Sequence, residues 1–335
     1  MTKQILVIAE GGVNHNGDIG RAIALAQAAR RAGADIIKFQ YFTVGNIVSA
    51  TAGAAAYQIA NTGKESQADL LRPLQIGLQE LSIVARTCRD EGIGFLCTAF
   101  DVDAIDELVS FGMSFVKIPS GEITNVPMLE RYGRLGLPVL LSTGMSTMAE
   151  VEGALDVLDR AGAPAVTLLQ CTSLYPAPPE TLNLRAMVSM AEQTKRPVGL
   201  SDHSLDDYAA IAAVALGATV IEKHITLDRR LPGPDHAASL EPAEFARMVA
   251  RLRATADALG DGVKRPAPGE AETAKLVRRS WHAARDLAPG TVLAASDIVL
   301  KRPADGLSPS ADPTGRRLTR AIAADQPVHD LDLAH

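Results

Sequence analysis

The amino-acid sequence predicts an α/β fold in which a TIM (β/α)8 barrel is followed by a small, β-rich C-terminal module. Runs rich in Val, Ile and Leu alternate eight times with longer, alanine-rich amphipathic stretches. Eight such units in about 255 residues are the usual size of this barrel. Polar residues also gather where the predicted strands end. A doubly wound open sheet is the alternative, but it usually has fewer strands, and no GxGxxG motif follows the first strand.

The predicted strands are apolar for most of their length, as expected when helices cover a parallel sheet. They span residues 5–9, 35–39, 94–98, 115–118, 139–142, 166–171, 198–201 and 220–224. Helices are predicted at 19–32, 76–91, 103–111, 127–135, 147–160, 183–193, 206–216 and 242–258. Gly33 and Gly217 suit the position that follows a helix, and Asp18 suits an N-cap.

The composition of the sequence and its pattern of predicted elements change after residue 258. A linker rich in Gly and Pro covers residues 261–279 and contains a helix-like stretch at 270–279. Residues 280–335 form a turn-rich module in which 292–293 and 298–300 are the best strands. With about 55 residues, this module is too small to bury a large core of its own. We therefore expect a barrel domain at 1–260, a linker and a small second domain.

The net charge, the length of the apolar runs and the cysteine spacing limit the classes of protein to which this chain can belong. A net charge of −6 argues against nucleic acid as the main partner. No apolar run approaches the roughly 18 residues that a membrane span needs, and residues 1–4 lead into the first strand without the shape of a signal peptide. Three cysteines, Cys88, Cys97 and Cys171, form no CxxC pair. These features predict a cytoplasmic protein without disulfides, with Cys97 and Cys171 as packing residues of ordinary reactivity.

All eight predicted strands end on polar residues. Because the carboxyl ends of barrel strands open on one face, these side chains are expected to meet there. Random placement would scatter them through helices and loops. The residues concerned are Glu10, Lys38, Gln40, Thr98, Lys117, Ser120, Glu122, Ser142, Thr143, Thr172, Ser173, Ser201, Asp202, His203 and His224.

Two histidines at the ends of adjacent strands predict a metal site. His203 and His224 follow strands seven and eight, so their rings can converge on one divalent ion and leave positions open for water and substrate. Asp202 and Asp235 stand nearby in the sequence and favour this interpretation over a pair of hydrogen-bonded core histidines. His15, in an Asn- and Gly-rich turn, has a turn role as its simplest interpretation.

Two strand-end lysines predict an anion site. Lys38 and Lys117 lie inside apolar runs, which disfavours a solvated role on the rim. Together with nearby hydroxyls they form a cradle of a size for phosphate plus carboxylate. A Schiff-base lysine is the rival chemistry. Lys223 alternates away from His224 and is predicted to be structural. Glu10 and Glu122 are candidates for sugar binding and for general-base work.

Seven motifs resemble the sialic acid synthase family. They are AEGGVNHNG at 9–17, IKFQ at 37–40, KIPSGE at 117–122, LSTGM at 141–145, GLSDH at 199–203, IEKH at 221–224 and GPDH at 233–236. In the last module, LKRP at 300–303 and GLSP at 306–309 resemble the antifreeze-like (SAF) domain that ends these enzymes. The resemblance therefore runs from the first strand to the last module.

The resemblance implies a metal-dependent condensation of phosphoenolpyruvate and water with N-acetylmannosamine or a related acetamido sugar, giving N-acetylneuraminate and phosphate. It implies that His203 and His224 hold Mn2+, with Mg2+ or Co2+ as alternatives, and that Glu122 or the metal activates the water. Phosphoenolpyruvate would be bound by Lys38, Thr98, Lys117, Ser120, Ser142, Ser173 and Ser201. The sugar would be bound by Glu10, Gln40, Tyr175 and Asp235, and by Arg302 from the partner of a domain-swapped homodimer.

Two positions depart from the family pattern, and three other functions stay open. Some members have asparagine at the position of Ser173, and Tyr41 stands where threonine is expected. The IPSGEITN stretch at 118–125 is at least as similar to legionaminate synthases, which use 2,4-diacetamido-2,4,6-trideoxymannose. A Schiff-base aldolase and a non-catalytic sugar-binding protein are the alternatives from other classes.

Overall fold

The computed structural model describes residues 5–334, so the predicted entry of residues 1–4 into the first strand lies outside the described residues. The chain divides into two compact units, Met1–Gly260 and Asp261–His335. No helix among residues 5–334 is both long and apolar enough to span a membrane.

The first unit contains an eight-stranded parallel sheet that curls into a barrel, as predicted. Its strands run in the order β3-β2-β1-β8-β7-β6-β5-β4, and β3 and β4 lie beside each other at the seam. At that seam Thr98 Oγ1 lies 3.5 Å from the carbonyl oxygen of Lys117. The strands are β1 (Leu6–Gly12), β2 (Ile36–Tyr41), β3 (Gly94–Ala99), β4 (Val116–Ile118), β5 (Val139–Ser142), β6 (Val166–Cys171), β7 (Val198–Asp202) and β8 (Val220–His224).

Helices surround the strands. They are α1 (Ile19–Arg31), α2 (Val44–Ile47), α3 (Ala56–Thr62), α4 (Gln67–Leu71), α5 (Leu78–Glu91), α6 (Ile105–Ser110), α7 (Val126–Gly133), α8 (Met148–Ala161), α9 (Arg185–Thr194), α10 (Tyr208–Ala215) and α11 (Pro242–Leu259). The predicted N-cap is confirmed, because the Asp18 side chain accepts a hydrogen bond from Arg21 N at 2.9 Å. Gly33 and Gly217 follow their helices with φ of 85° and 102°, values that favour glycine.

The sequence did not predict helices α2, α3 and α4, which occupy the long connection between β2 and α5. This connection is anchored by Asp101, whose carboxylate accepts hydrogen bonds from Thr43 N and Asn46 Nδ2, both at 2.8 Å. A separate small cluster of Val13, Phe42, Val44, Leu70 and Leu74 packs beneath it. Each helix is too short to give a clear 3.6-residue repeat, which explains why the pattern was missed.

Side chains alternate along the barrel strands between the interior and the helical layer. On β2, Ile37 and Phe39 are fully buried in the apolar layer. Lys38, between them, contacts carboxylates of β1 and β8. On β8, Glu222 contacts Lys38 across the interior, whereas Lys223 makes contacts with the loop after β7. This two-residue alternation delivers ionisable groups to the barrel interior without interrupting the core outside it.

The second unit has its own small core and a two-stranded antiparallel sheet. It contains α12 (Glu270–Val277), β9 (Ser280–Ala283) and β10 (Ile298–Lys301), with Ile298 opposite Ala283. The helix-like stretch predicted in the linker is α12. The strand predicted at 292–293 is reduced to an isolated bridge between Val292 and Arg317. The buried residues of this core are Ala283, Leu287, Leu293, Ile298, Leu318, Ile322, Val328 and Leu333.

Candidate active site

Two lysines and two glutamates form a buried ionic cluster inside the barrel. Lys38 Nζ lies 2.9 Å from Glu10 Oε2 and 3.6 Å from Glu222 Oε2. Lys117 Nζ lies 3.7 Å from Glu222 Oε1. Each of the four residues is at most 5% exposed. The cluster balances two positive and two negative charges, which makes the burial of all four tolerable.

The surroundings shift the pKa values of these four groups in different directions. Burial raises the pKa of Glu10, and Glu222 adds to that effect. Burial by itself raises the pKa of Glu222, but Lys117 and Lys38 bring it below its usual value. For Lys38, burial lowers the pKa, yet Glu10 and Glu222 raise it above the ordinary value. Burial and the charge of Lys38 leave the pKa of Lys117 lowered in spite of Glu222.

Hydroxyl groups surround this cluster at the strand ends. Thr98 Oγ1 lies 3.5 Å from Lys38 Nζ, and Ser201 Oγ donates a hydrogen bond to Glu222 Oε1 at 3.0 Å. The Ser142 hydroxyl is buried and has no hydrogen-bond partner among residues 5–334. A buried hydroxyl without a partner is costly, and it is the kind of group that a bound anion would satisfy.

A second group of hydroxyls converges on Gly144, in the loop after β5. Its backbone N–H donates to Ser120 Oγ at 2.8 Å. A Cβ atom at this position would lie 2.8 Å from Ser120 Oγ, 2.5 Å from Ser173 Oγ and 3.2 Å from Cys171 Sγ. Glycine is therefore required for the close approach of these three side chains. Together they form a small polar cradle beside β6.

The two predicted metal-ligand histidines lie side by side. The ring centroids of His203 and His224 are 5.4 Å apart, with the planes inclined at 58°. His203 Nδ1 lies 2.8 Å from the carbonyl oxygen of Thr172, so this nitrogen carries a proton, and Nε2 is the nitrogen that has a lone pair when the ring is neutral. His224 Nδ1 is buried and has no hydrogen-bond partner in the described part of the chain.

The surroundings shift the pKa values of the two imidazoles in opposite directions. Burial, His203 and Lys38 hold the pKa of His224 well below its usual value, so this ring stays neutral as a metal ligand must. Burial also lowers the pKa of His203, but its contact with Cys171 and the Thr172 carbonyl leaves that pKa raised. Within residues 5–334, no three His, Cys, Asp or Glu side chains are grouped so as to hold a metal. The chain thus offers two imidazoles, and further ligands would come from water or substrate.

An aromatic stack covers the imidazole pair. Tyr175 lies 4.0 Å from His203 and 5.8 Å from His224, measured between ring centroids. Its ring also stacks on Tyr57 of α3, at 5.1 Å and 22°. Asn61, one turn further along α3, donates to the carbonyl oxygen of Pro234 at 2.8 Å. Helix α3 therefore connects Tyr175, which follows β6, with the loop that follows β8.

Besides Tyr175, the predicted sugar-binding residues of the first unit are the buried Glu10 and Asp235 and the half-buried Gln40. Gln40 Nε2 donates to Glu10 Oε1 at 2.8 Å. Asp235 is 8% exposed, and burial together with the charge of Glu10 raises its pKa to about 6. A carboxyl group that is half protonated near pH 6 can either donate or accept a hydrogen bond there.

The turn at 14–17 braces the loop that carries Asp235. Asn14 Nδ2 donates to Ile225 O and to Ser239 Oγ, both at 2.9 Å, and Ser239 Oγ donates to Asp235 O at 2.7 Å. His15 accepts a hydrogen bond at Nδ1 from the backbone of the same turn, at 3.0 Å, in keeping with its predicted turn role. Burial lowers the pKa of His15 to about 4.

Glu122 makes its side-chain contact outside the ionic cluster, and Arg302 belongs to the second unit. Glu122 Oε2 accepts a hydrogen bond from Asn125 Nδ2 at 2.6 Å, and in the part of the chain that the structure describes no ion pair links Glu122 to the lysines. Arg302 is exposed in the second unit and follows β10 directly. Its predicted role involves a partner subunit, so the geometry of a single chain leaves it a prediction.

The structure refines two interpretations from the sequence. The Asp202 carboxylate is paired with Lys223 Nζ at 2.7 Å, and its charge acts on His203 only by helping to raise the pKa of that ring. Strand alternation turns Asp202 to the outside, as it does the predicted structural residue Lys223. For Cys171, burial raises the pKa of the thiol, but His203 and Ser120 bring it below the usual value, which the sequence did not indicate. Burial keeps the pKa of Cys97 high.

The sequence analysis missed three residues at this site. Glu222 was overlooked inside an apolar strand, although its position two residues before His224 places both on the same face. Tyr57 and Asn61 lie on α3, a helix that the sequence did not predict. A Tyr and an Asn four residues apart suggest one helical face, but only once that helix is known.

The barrel, with ionisable side chains converging at the carboxyl ends of its strands, defines the chain as a TIM-barrel enzyme. The profile of the NeuB family matches residues 25–264, and the profile of the SAF domain matches residues 278–334. The chain belongs to the NeuB family and ends in a SAF domain. The predicted family and fold class are both confirmed.

Curated relatives and a solved structure agree with this family. The chain is 44% identical to the N,N'-diacetyllegionaminic acid synthase of Campylobacter jejuni, over 91% of this chain and 92% of the relative. It is 41% identical to the enzyme of the same name from Legionella pneumophila, over 95% and 91%. The crystal structure of N-acetylneuraminic acid (sialic acid) synthetase from Leptospira borgpetersenii in complex with citrate superposes with a TM-score of 0.73 at 32% identity, covering 81% of this chain and 90% of that one.

Proposed function

We propose that this enzyme condenses phosphoenolpyruvate and water with an acetamido sugar aldehyde, giving a nonulosonic (sialic-type) acid and phosphate. The observation that carries the proposal is the placement of two buried ammonium groups beside a pair of imidazoles at the same end of the barrel. We assign catalysis to residues 1–260, a linker to 261–279 and the SAF domain to 280–335, with Arg302 reaching the partner's site in a domain-swapped homodimer.

Phosphoenolpyruvate binds where the ammonium groups and the unpaired hydroxyl meet. Lys38 and Lys117 supply positive charge to its phosphate and carboxylate, and they do so in a site from which water is largely excluded. The cradle around Gly144 supplies further hydroxyls. The binding residues are Lys38, Thr98, Lys117, Ser120, Ser142, Ser173 and Ser201.

His203 and His224 hold the divalent cation, which we propose to be Mn2+, with Mg2+ or Co2+ as alternatives. The neutral state of His224 fits such an ion, and His203 presents Nε2 to it in the neutral form of its ring. When bound, the ion supplies Lewis-acid polarisation of the sugar aldehyde. Two protein ligands predict a weakly held, exchangeable metal.

The sugar lies against Tyr175 and the carboxylates at the mouth of the barrel. Glu10, Gln40, Tyr175 and Asp235 bind its hydroxyl and acetamido groups, together with Arg302 of the partner. In the reaction, C3 of phosphoenolpyruvate bonds to the aldehyde carbon, and the aldehyde oxygen takes up a proton to become a hydroxyl. Water adds to C2 and loses both protons in all, one to the new hydroxyl and one to the departing phosphate, as the C2–O bond to phosphate breaks and the C2 ketone forms. Glu122 takes one proton from that water, and Asn125 orients its carboxylate.

Sequence similarity favours one acceptor over another. The two N,N'-diacetyllegionaminic acid synthases are 44% and 41% identical, compared with 32% for the sialic acid synthetase of known structure. We therefore propose 2,4-diacetamido-2,4,6-trideoxymannose as the preferred acceptor, with N-acetylmannosamine as the second candidate. We also propose a cytoplasmic location, which the three free, buried cysteines support.

Product identification tests this proposal. The purified enzyme is incubated with phosphoenolpyruvate, Mn2+ and each sugar, and phosphate release is measured alongside the mass of the product. We expect stoichiometric phosphate and a nonulosonic acid, formed faster from the diacetamido sugar. A pyruvate adduct trapped on Lys38 or Lys117 by borohydride, with activity that survives chelation, would instead establish the Schiff-base aldolase.

A further inference from the structure

Lys223 makes an unusual number of contacts for a buried lysine. Its side chain and that of Asp202 are both 0% exposed, and the two residues face each other directly across β7 and β8. The ammonium lies 2.7 Å from Asp202 Oδ2, 2.5 Å from Ser204 O and 2.8 Å from Asp206 O, with Ser204 Oγ at 3.2 Å. One cation thus ties a strand to the loop that follows it.

These contacts bracket His203 on both sides. Asp202 precedes it and Ser204 follows it, and both bond to Lys223 Nζ. The two neighbours are also joined to each other, because Ser204 N donates to Asp202 Oδ1 at 2.8 Å. His224 comes directly after Lys223. Lys223, the residue before His224, therefore holds the two chain neighbours of His203.

A matching contact lies on the opposite face of the same strands. Ser201 Oγ donates to Glu222 Oε1 at 3.0 Å, and these two residues are also register partners. The pair lies one position before Asp202 and Lys223. Strands β7 and β8 are consequently linked by side chains on both faces, immediately before the two histidines.

Stability alone does not require an ammonium group at this position. Replacing a buried ion pair by apolar residues of similar size is often neutral or even stabilising. An apolar pair would, however, leave the carbonyl groups of Ser204 and Asp206 without this donor, and would free the loop after His203. What the ammonium adds is therefore a fixed geometry.

We propose that Lys223 is a positioning residue that fixes the separation of His203 and His224 for binding a divalent cation. The inference rests on the proposed function, because it takes both imidazoles as ligands. Loss of a group that orients metal ligands typically weakens metal binding by about 10- to 100-fold. Lys223→Met is expected to raise the dissociation constant for Mn2+ by that factor. Asp202→Asn, which keeps the shape and the hydrogen bond to Ser204, should give a smaller rise of roughly 3-fold or more.

The experiment titrates Mn2+ alone into the metal-free, full-length protein and follows the free ion by electron paramagnetic resonance. Leu252→Ala is the matched control, because Leu252 is fully buried in α11 and its truncation lowers stability without touching the site. Thermal unfolding of each metal-free variant is measured in parallel. The inference predicts weaker Mn2+ binding for Lys223→Met and Asp202→Asn but not for Leu252→Ala.

The outcomes distinguish failure of the metal assignment from failure of the positioning role. If the wild type binds no Mn2+, or if His224→Ala binds it equally well, the metal assignment within the proposed function fails. If wild-type binding depends on His224 but the Lys223 and Asp202 variants bind with unchanged affinity, the positioning role is wrong. An equal loss in Leu252→Ala would also refute it. Should Lys223→Met fail to fold, Asp202→Asn decides the question.

Discussion

Glu222 Oε1 lies 3.7 Å from Lys117 Nζ in the interior of the barrel. The other oxygen of the same carboxylate lies 3.6 Å from Lys38 Nζ, so a single negative charge stands between two buried cations. Without it, the two ammonium groups would repel each other where little water is present to screen them.

Glu222→Gln is therefore expected to lower the free energy of unfolding by on the order of 3 kcal/mol. Bound phosphoenolpyruvate should recover part of this loss, because its negative charges replace the missing one. We expect the ligand to raise the melting temperature of the variant more than that of the wild type. Thermal unfolding with and without phosphoenolpyruvate measures both shifts, and equal shifts would argue against an anion site at these lysines.

His203→Ala and His224→Ala are each expected to remove metal dependence and to reduce kcat by roughly 100-fold or more, because the carbonyl loses its polarising ion. Steady-state assays across a range of Mn2+ concentrations, with a chelator as the zero point, measure this. A variant that keeps full activity in chelator would disprove the metal assignment.

Gly144→Ala is expected to raise the KM for phosphoenolpyruvate by about 10-fold, since the added methyl group would lie 2.5 Å from Ser173 Oγ and displace the cradle. Gly153→Ala is the matched control. Apart from its own helix backbone and chain neighbours, no atom of residues 5–334 lies within 4 Å of a Cβ at that position in α8, so the change should leave kinetics intact and stabilise the helix by about 1 kcal/mol. Equal KM values for the two variants would show that the cradle does not bind substrate.

Arg302→Ala is expected to raise the KM for the sugar by roughly 10-fold while changing that for phosphoenolpyruvate little, because a charge-assisted hydrogen bond to the acceptor is lost. Arg317→Ala, in the same unit, serves as the control. Initial rates with each substrate varied in turn measure the effect. Unchanged constants for both substrates would argue against a SAF domain that completes the partner's site.

Asp235→Asn is expected to change how stability depends on pH. The Asp235 carboxyl has a pKa of about 6 in the folded chain against an ordinary 3.8, so the folded state binds more protons between these values. Stability is consequently lost as pH rises from about 4 to 6, by up to about 3 kcal/mol. The variant lacks this loss, so its advantage over the wild type should grow across that window and then level off. Urea unfolding between pH 4 and 7.5 measures the difference, and a constant difference would contradict the raised pKa.

Much of the architecture follows from the sequence because its signals are local. Buried parallel strands are short apolar runs, and their carboxyl ends share one face, so Glu10, Lys38, Lys117, His203 and His224 could be assigned to one region before any coordinates were known. The nearness of the two imidazoles follows from the adjacency of strands seven and eight in a closed barrel.

What the sequence did not reveal depends on pairing between distant residues. Asp202 directly precedes His203 in the chain, but its carboxylate is paired with Lys223 on the outer face of the strands. The lowered pKa of the Cys171 thiol depends on His203, which is 32 residues away in the chain. Tyr57 contacts Tyr175 from α3, a helix too short to give a recognisable 3.6-residue repeat in the sequence. Such contacts are decided by tertiary packing, which propensity and periodicity do not encode.

The stack of Tyr57, Tyr175 and His203 also gives the enzyme an optical property. Trp281 is the only tryptophan and lies in the second unit, so replacing it leaves tyrosines as the only emitters of near-ultraviolet fluorescence. Of the five tyrosines, Tyr175 contacts the imidazole pair and Tyr57 stacks on Tyr175. A paramagnetic ion bound at the imidazoles would quench the fluorescence of these two tyrosines. In the Trp281→Phe variant, tyrosine fluorescence would therefore report binding of the ion without an added label.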